Sequence, residues 1–119
     1  EEVILCERGI RTFDKSNRNT LDLAGLALAK ELSHLPIISD PSQATGDRKL
    51  IEAASMASLA AGADGLMIEV HNNPEVALSD GPHSLFLNQL DEMLPSFERI
   101  ATAVNKTCSW NKEPEVIKV

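Results

Sequence analysis

The stretch Val3 to Gly9, which reads VILCERG, decides the fold because a short apolar run ends there in a charged pair and a glycine. The same arrangement recurs in PIISDPSQ at residues 36–43 and in GLMIEVH at residues 65–71. Short continuous apolar runs are typical of strands covered on both faces, as in parallel sheets. Ligands bind at the carboxyl ends of such strands, so we expect the three polar clusters to form one site.

Helical patterns lie between and after these predicted strands. Residues 20–33 carry apolar side chains at helical spacing, and Thr20 is the expected amino-terminal cap. Residues 47–61 are rich in helix formers and stop before Gly62, a residue that accepts the left-handed conformation of a helix end. The alternation of strand and helix predicts an α/β chain with a parallel sheet.

A third helix is expected over residues 84–104, with a kink or a junction of two helices at Pro95. Three βα units alone would leave one face of the sheet uncovered and two edges unpaired. A closed (β/α)8 TIM barrel takes about 250 residues, roughly twice the length of this chain. We therefore interpret residues 1–104 as part of such a barrel, followed by a carboxyl-terminal tail at 105–119.

Composition limits the classes of function. The chain has 119 residues, 43% of them apolar, and a net charge of −7. Its basic residues are scattered and aromatic residues are few, which argues against nucleic acid as a partner. No run of 18 apolar residues exists to span a membrane. Two cysteines, Cys6 and Cys108, do not make the disulfide framework of a small secreted domain, and a cytoplasmic setting is expected. Cys6 and Met67 lie within predicted strands, and we expect both side chains to be packed.

Several segments carry a specific resemblance to one enzyme family. The segments are VILCERGIRTF at 3–13, NTLD at 19–22, HLP at 34–36, DPS at 40–42, GADG at 62–65, EVH at 69–71 and ALSDG at 77–81. In this order they resemble the carboxyl-terminal part of 3-deoxy-D-arabino-heptulosonate 7-phosphate (DAHP) synthases of the short bacterial and archaeal type, which are related to 3-deoxy-octulosonate 8-phosphate synthases. The resemblance implies about strands six to eight of the barrel.

The resemblance also implies an activity, the condensation of phosphoenolpyruvate with erythrose 4-phosphate at the start of aromatic amino acid biosynthesis. Arg8 matches the arginine that holds phosphoenolpyruvate, with Glu7 expected to orient it, and Arg11 is a weaker match for substrate phosphate. A guanidinium suits bidentate contact with phosphate or carboxylate oxygens. Asp40, at the second strand end, is the other expected catalytic residue.

Glu69 and Asp80 match the two carboxylate ligands of the family's divalent metal, which could be manganese, iron, cobalt or zinc. The competing interpretation is that Asp80 merely caps the helix that follows. Gln43 stands where the family has a histidine ligand, and an amide would weaken metal affinity. His83 stands where the family often has glutamine. It could reach the cation if its loop bends inwards, but we expect it to face solvent.

Other family groups lie upstream of anything in this chain: a cysteine ligand, a substrate lysine and a lysine-proline-arginine motif. An isolated chain should therefore be inactive, and the expected partner is the remaining barrel half or a homo-oligomer. Two alternatives stay open. One is a non-catalytic remnant that acts in assembly or regulation, and the other is a 3-deoxy-octulosonate 8-phosphate synthase.

Overall fold

A computed structural model describes residues 2–111 of the chain. Three strands alternate with helices, as predicted, and four 3-10 turns lie in the connections and after the last helix. The strands and helices are β1 (Leu5–Glu7), α1 (Leu23–Leu32), β2 (Ile37–Ser39), α2 (Pro41–Thr45), α3 (Ile51–Ala60), β3 (Gly65–Leu66) and α4 (Leu87–Ala103). The 3-10 turns are Arg48–Leu50, Pro74–Val76, Gly81–His83 and Ser109–Asn111.

The strands form a parallel sheet in the order β1-β2-β3. Cys6 is paired with Ile38, and Ile38 with Gly65, so the three strands are in register at this row. The predicted α/β class and the parallel sheet are confirmed. Because all three carboxyl ends point the same way, the loops that follow them meet at one edge.

The helices cover only one face of this sheet. Leu26 and Ile37 pack with Ala63 under α1, and a second cluster around Ile51 and Phe97 joins α3 to α4. The opposite face of the described residues is open. It exposes side chains that the sequence predicted to be packed, since Cys6 is exposed and Met67 is 46% exposed.

The burial predicted for Cys6 and Met67 is therefore wrong, and the reason is the row of residues to which they belong. Successive side chains on a strand point to opposite faces. Leu5 and Ile37 point towards the helices, whereas Cys6 points away from them. In a closed barrel the second face would be the interior.

Helix boundaries differ from the predictions in three ways. Asp22, not Thr20, caps α1 by accepting a hydrogen bond from Gly25 N. The short helix α2 was not predicted, although Asp40 caps it and Pro41 occupies its first turn. The last helix is continuous through Pro95, so the predicted junction of two helices there is wrong.

No helix within residues 2–111 is both long enough and apolar enough to cross a membrane. Within the predicted tail, Lys106 folds back onto the core, and its Nζ donates to the carbonyl oxygens of Gly62 and Ala63. The rest of that tail, from residue 112 onwards, lies outside the described residues. The boundary that the sequence suggests between residues 104 and 105 stays a prediction.

Candidate metal and substrate site

The three polar clusters predicted at the strand ends do meet at one edge. Asp40 N donates to the Glu7 carbonyl oxygen at 2.8 Å, which links the first cluster to the second. Glu69 N donates to the Ser42 hydroxyl at 3.1 Å, which links the second to the third. The edge is therefore held together by hydrogen bonds that cross from one βα loop to the next.

Arg8 and Asp40 form the first half of the site. Arg8 Nε donates to Asp40 Oδ2 at 3.0 Å, while the other carboxylate oxygen of Asp40 accepts from Gln43 N at 2.8 Å. Asp40 is buried and the Arg8 side chain is 55% exposed. The pair thus combines a fixed carboxylate with a guanidinium that reaches into the open edge.

Glu7 does not orient Arg8, contrary to the prediction. Its carboxylate accepts from Gly9 N at 2.7 Å and from Asp22 N at 3.3 Å. Glu7 therefore holds the segment between β1 and α1, and the partner of Arg8 is Asp40. Arg11 is exposed farther along the same segment, and it has no ion pair within residues 2–111.

A second group, Glu69, Asp80 and His83, lies at the end of the following loop. His83 Nε2 is 3.3 Å from Glu69 Oε2 and 3.4 Å from Asp80 Oδ1. The three side chains can offer donor atoms that all lie within 4.8 Å of one another. His83 is buried, so the prediction of a solvent-facing histidine is wrong. The loop bends inwards and carries the imidazole with it.

The main chain around Asp80 explains how the carboxylate reaches this group. Asp80 has a φ of 57°, a left-handed conformation that aspartate tolerates better than most residues. Its carbonyl oxygen accepts from Ser84 N and from Ser84 Oγ. Its side chain makes no cap hydrogen bond to the turn that follows, so the capping interpretation of Asp80 is not supported.

Arg48 holds this loop from the 3-10 turn that precedes α3. Its Nη2 donates to the Gly81 carbonyl oxygen at 2.9 Å, and its guanidinium lies 5.1 Å from the centre of the Phe86 ring. This arginine could not be singled out from the sequence, because nothing in its local pattern indicates a contact 33 residues away. It is a positioning residue for the Asp80 loop.

The environment of the carboxylates favours a cation. Burial, together with the nearby Asp80 carboxylate, raises the pKa of Glu69 even though His83 acts in the opposite direction. His83 Nε2 is buried and has no hydrogen-bond partner within residues 2–111. Leaving such an atom unpaired costs about 1–3 kcal/mol.

Donors with bonds of about 2.1 Å to one ion lie roughly 3.0 Å apart in octahedral geometry and roughly 3.4 Å in tetrahedral geometry. The observed spacing and donor types therefore fit a divalent metal.

Gln43 lies on the element next to this group, and the group itself consists of Glu69, Asp80 and His83. Its helix α2 packs against the turn Gly81–His83. Its main-chain nitrogen is used by Asp40, and within residues 2–111 its side-chain amide makes no hydrogen bond. The amide is half-buried, and no other described residue uses it as a hydrogen-bond partner.

A cavity of about 490 Å³ lies elsewhere, between β3, α3 and α4. Its walls are largely apolar, with Leu66, Leu94 and Phe97 among them, and its charged residues are Asp64 and Lys106. These two form an ion pair with each other at 2.8 Å. The side chains that could bind a metal or an anion therefore lie at the carboxyl edge and not in this cavity.

The fold and the edge together define a class: an α/β chain with a parallel three-stranded sheet, whose carboxyl edge carries an exposed arginine paired with a buried aspartate and a candidate metal centre. The model of the DAHP synthetase I family matches residues 1–106. The chain belongs to that family.

Individual relatives agree with this assignment. Phospho-2-dehydro-3-deoxyheptonate aldolase of Thermotoga maritima is 47% identical over 103 residues, which are 87% of this chain and 30% of that protein. The 2-dehydro-3-deoxyphosphooctonate aldolase of Desulfotalea psychrophila is 33% identical over 117 residues, which are 89% of this chain and 41% of that protein.

The solved structure of a truncated 3-deoxy-D-arabino-heptulosonate 7-phosphate synthase from Thermotoga maritima matches with a TM-score of 0.84 and 46% identity. The match covers 87% of this chain and 40% of that one. The chain thus spans well under half the length of these relatives. The three-stranded sheet corresponds to a portion of their fold.

Proposed function

We propose that this chain is the carboxyl-terminal part of a 3-deoxy-7-phosphoheptulonate synthase and contributes about strands six to eight of its TIM barrel. The observation that carries the proposal is the meeting of the Arg8–Asp40 pair and the Glu69–Asp80–His83 group at one edge of the sheet. The higher identity to the heptonate enzyme than to the octonate enzyme supports the choice of acceptor, erythrose 4-phosphate.

In this reaction the enolpyruvate carbon of phosphoenolpyruvate attacks the aldehyde, water adds to the neighbouring carbon and phosphate leaves. Arg8 would hold the anionic donor, because its Nε is anchored on Asp40 while its exposed terminal nitrogens make no hydrogen bond within residues 2–111. A guanidinium fixed in this way can bind a phosphate or carboxylate with two parallel hydrogen bonds. Arg11 would contact substrate phosphate from the same segment.

The metal part of the proposal assigns Glu69 and Asp80 as carboxylate ligands, with the amide oxygen of Gln43 as a weaker neighbouring donor. The ion would be manganese, iron, cobalt or zinc, since oxygen donors with an imidazole suit all four. When bound, it would supply Lewis-acid stabilisation for the oxygen of the acceptor aldehyde. The protein's part is to hold the ligands: Ser42 fixes Glu69 through its main chain, and Arg48 fixes the Asp80 loop.

The chain would work only when the remaining βα units are supplied, in the same polypeptide or by a partner. Within residues 2–111 the sheet has an open face and two unpaired edges, and those units would pack there. A cytoplasmic setting belongs to the same proposal. Alone, the chain lacks the upstream cysteine and lysine that the family uses and should be inactive.

A chimera tests the proposal directly. In it, this chain replaces the matched segment of the Thermotoga maritima relative, which then supplies the rest of the barrel. The expected result is consumption of phosphoenolpyruvate that depends on erythrose 4-phosphate and falls at least about 100-fold in Arg8→Ala. A folded chimera without turnover would favour the non-catalytic remnant. Turnover only with arabinose 5-phosphate would favour the octulosonate enzyme.

A further inference from the structure

The histidine missing after Asp40-Pro41-Ser42 has a counterpart across the site. In the resemblance, the family has histidine where this chain has Gln43, and often has glutamine where this chain has His83. The structure brings these two positions to facing elements, because α2 packs against the turn Gly81–His83. This edge therefore carries both an imidazole and an amide, but each stands on the element where the family has the other.

His83 has the surroundings of a ligand rather than of a surface residue. It is 4% exposed, and Nε2 is buried without a hydrogen-bond partner within residues 2–111. The same nitrogen lies 3.3 Å from Glu69 Oε2 and 3.4 Å from Asp80 Oδ1. The ring nitrogen of a neutral imidazole carries a lone pair that can bind a metal, and here that nitrogen lies within reach of one oxygen from each carboxylate.

We propose that His83 supplies the imidazole ligand of this metal centre, and that Gln43 has taken the neighbouring amide position. The inference rests on the proposed function only for the existence of a catalytic metal, and it changes the ligand set to one imidazole and two carboxylates. Loss of the histidine at position 43 therefore does not dismantle the site. The imidazole donor comes instead from the turn after Asp80 and not from α2.

The competing explanation is electrostatic. A protonated His83 could pair with Glu69 and Asp80 without any metal, because both carboxylates are within ion-pair distance. Neither contact has the alignment of a hydrogen bond, however, since Nε2 is unpaired. The two explanations differ in one measurable respect, which is whether an added metal changes the chemical shift of His83 Nε2.

The decisive experiment is a long-range ¹H–¹⁵N spectrum of the histidine rings in the complete chain, titrated with Zn²⁺. Within the sequence the only imidazoles are His34, His71 and His83, so assignment needs only single His→Gln variants. We expect saturation with Zn²⁺ to move Nε2 of His83 to the shift of a metal-bound nitrogen and to leave His34 unchanged. An Nε2 resonance of His83 that Zn²⁺ leaves in place would overturn the proposal.

Calorimetry with Zn²⁺ gives a second test. His83→Gln should weaken binding at least about tenfold, whereas His71→Gln, the matched control, should change it less than about threefold. His71 is a fair control because its Nδ1 already accepts from Asn73 N. The double variant Gln43→His/His83→Gln should bind within about threefold of the unchanged chain. Equal binding by His83→Gln alone would overturn the proposal, and thermal melts followed by circular dichroism check that each variant is folded.

Failure of this inference and failure of the proposed function are distinguishable. If Zn²⁺ binds through His83 but the Thermotoga chimera shows no turnover, the ligand assignment holds and the proposed function is wrong. If the chimera turns over equally well with His83→Gln, the proposed function holds and the assignment of His83 as a ligand is wrong.

Discussion

Arg8 and Asp40 form an ion pair in which only the carboxylate is buried. Asp40 is 3% exposed and uses one oxygen to cap α2 and the other to hold Arg8 Nε at 3.0 Å. A side chain that does both couples the position of a helix to the direction of a guanidinium. The direction of the Arg8 guanidinium is therefore set by the same residue that caps the next helix.

Asp40→Asn separates these two roles. An asparagine oxygen can still cap α2, so stability should fall by only about 0.5–1 kcal/mol. The negative charge that anchors Arg8 is lost, and in the chimera we expect KM for phosphoenolpyruvate to rise about tenfold or more. Steady-state kinetics and urea unfolding measure the two effects.

The matched control is Asp22→Asn, because Asp22 caps α1 in the same manner but has no contact with Arg8. Its KM should stay within about twofold of the unchanged chimera. If the two variants raise KM equally, Asp40 acts through helix stability alone and its role in placing Arg8 is refuted.

Asp64 secures the opposite edge of the sheet. Its carboxylate accepts from Lys30 Nζ at 2.6 Å, from Lys106 Nζ at 2.8 Å and from Ile37 N at 2.9 Å. Burial alone would raise the pKa of Asp64, but the hydrogen bonds from Lys106, Lys30 and Ile37 outweigh it and lower that pKa to about 2. These bonds connect α1, β2 and the segment after α4.

A lowered carboxylate pKa stabilises the fold above the unfolded value, near 3.8, and this contribution is lost as the pH falls through about 2. Asp64→Asn should therefore lower the free energy of unfolding by about 1–2 kcal/mol at pH 7, after allowance for partial exposure. The difference from the unchanged chain should shrink towards pH 2. Urea unfolding of the chain at several pH values measures it.

Asp91→Asn, on the exposed side of α4, is the control and should change stability by less than about 0.5 kcal/mol. A cost of Asp64→Asn that is the same at pH 3 and pH 7 would contradict the assigned role of the carboxylate charge.

The sequence predicts the parts of this molecule that depend on local patterns. The three apolar runs became the three strands, and the stop at Gly62 is confirmed by its φ of 106°. The choice between Thr20 and Asp22 as a cap could not be made, because both residue types cap helices. Thr20 instead pairs with Ile10 in an isolated bridge.

The site was predictable to the extent that the ends of parallel strands must converge. Arg8, Asp40 and Glu69 were predicted to lie together in this way, whereas Asp80 was singled out only by the resemblance to the family. His83 was not predicted to join them, because its burial depends on how an eleven-residue loop after Glu69 packs, and no local pattern encodes that. The signal that could have found it was the exchange of histidine and glutamine between positions 43 and 83.

Gly9 gives a test of the strand-to-loop geometry at β1. Its φ is 91°, and an added Cβ would lie 2.8 Å from Asn19 Cβ and 3.0 Å from Ala44 Cα. Gly9→Ala combines backbone strain with overpacking, and should lower the free energy of unfolding by about 2–4 kcal/mol. Gly62→Ala is the control for strain alone, since its φ is also positive and no atom lies within 4 Å.

The expected cost of Gly62→Ala is about 1 kcal/mol. Both values come from urea unfolding of the chain. If the two variants were equally destabilised, the close approach of the Gly9 segment to α2 would be wrong.

Cys6 reports on whether the open face becomes a barrel interior. It is exposed on the uncovered face of β1, beside Ile38 in the sheet register. Partial burial of the sulfur and the nearby Asp40 carboxylate raise the pKa of its thiol, so alkylation is best followed near pH 8.5. In the isolated chain, in a Cys108→Ser background, Cys6 should react fully with N-ethylmaleimide. In the Thermotoga chimera its rate should fall by about tenfold or more, because the added strands close over it.

The control is a cysteine at Ala24, an exposed position on α1, in a chain without Cys6 or Cys108. Its rate should be the same in the isolated chain and in the chimera, and peptide mass spectrometry distinguishes it from cysteines of the Thermotoga segment. Equal protection of both positions would indicate nonspecific burial by association. Equal reactivity of Cys6 in the two settings would mean that its face stays open, and the assignment of that face to a barrel interior would have to be abandoned.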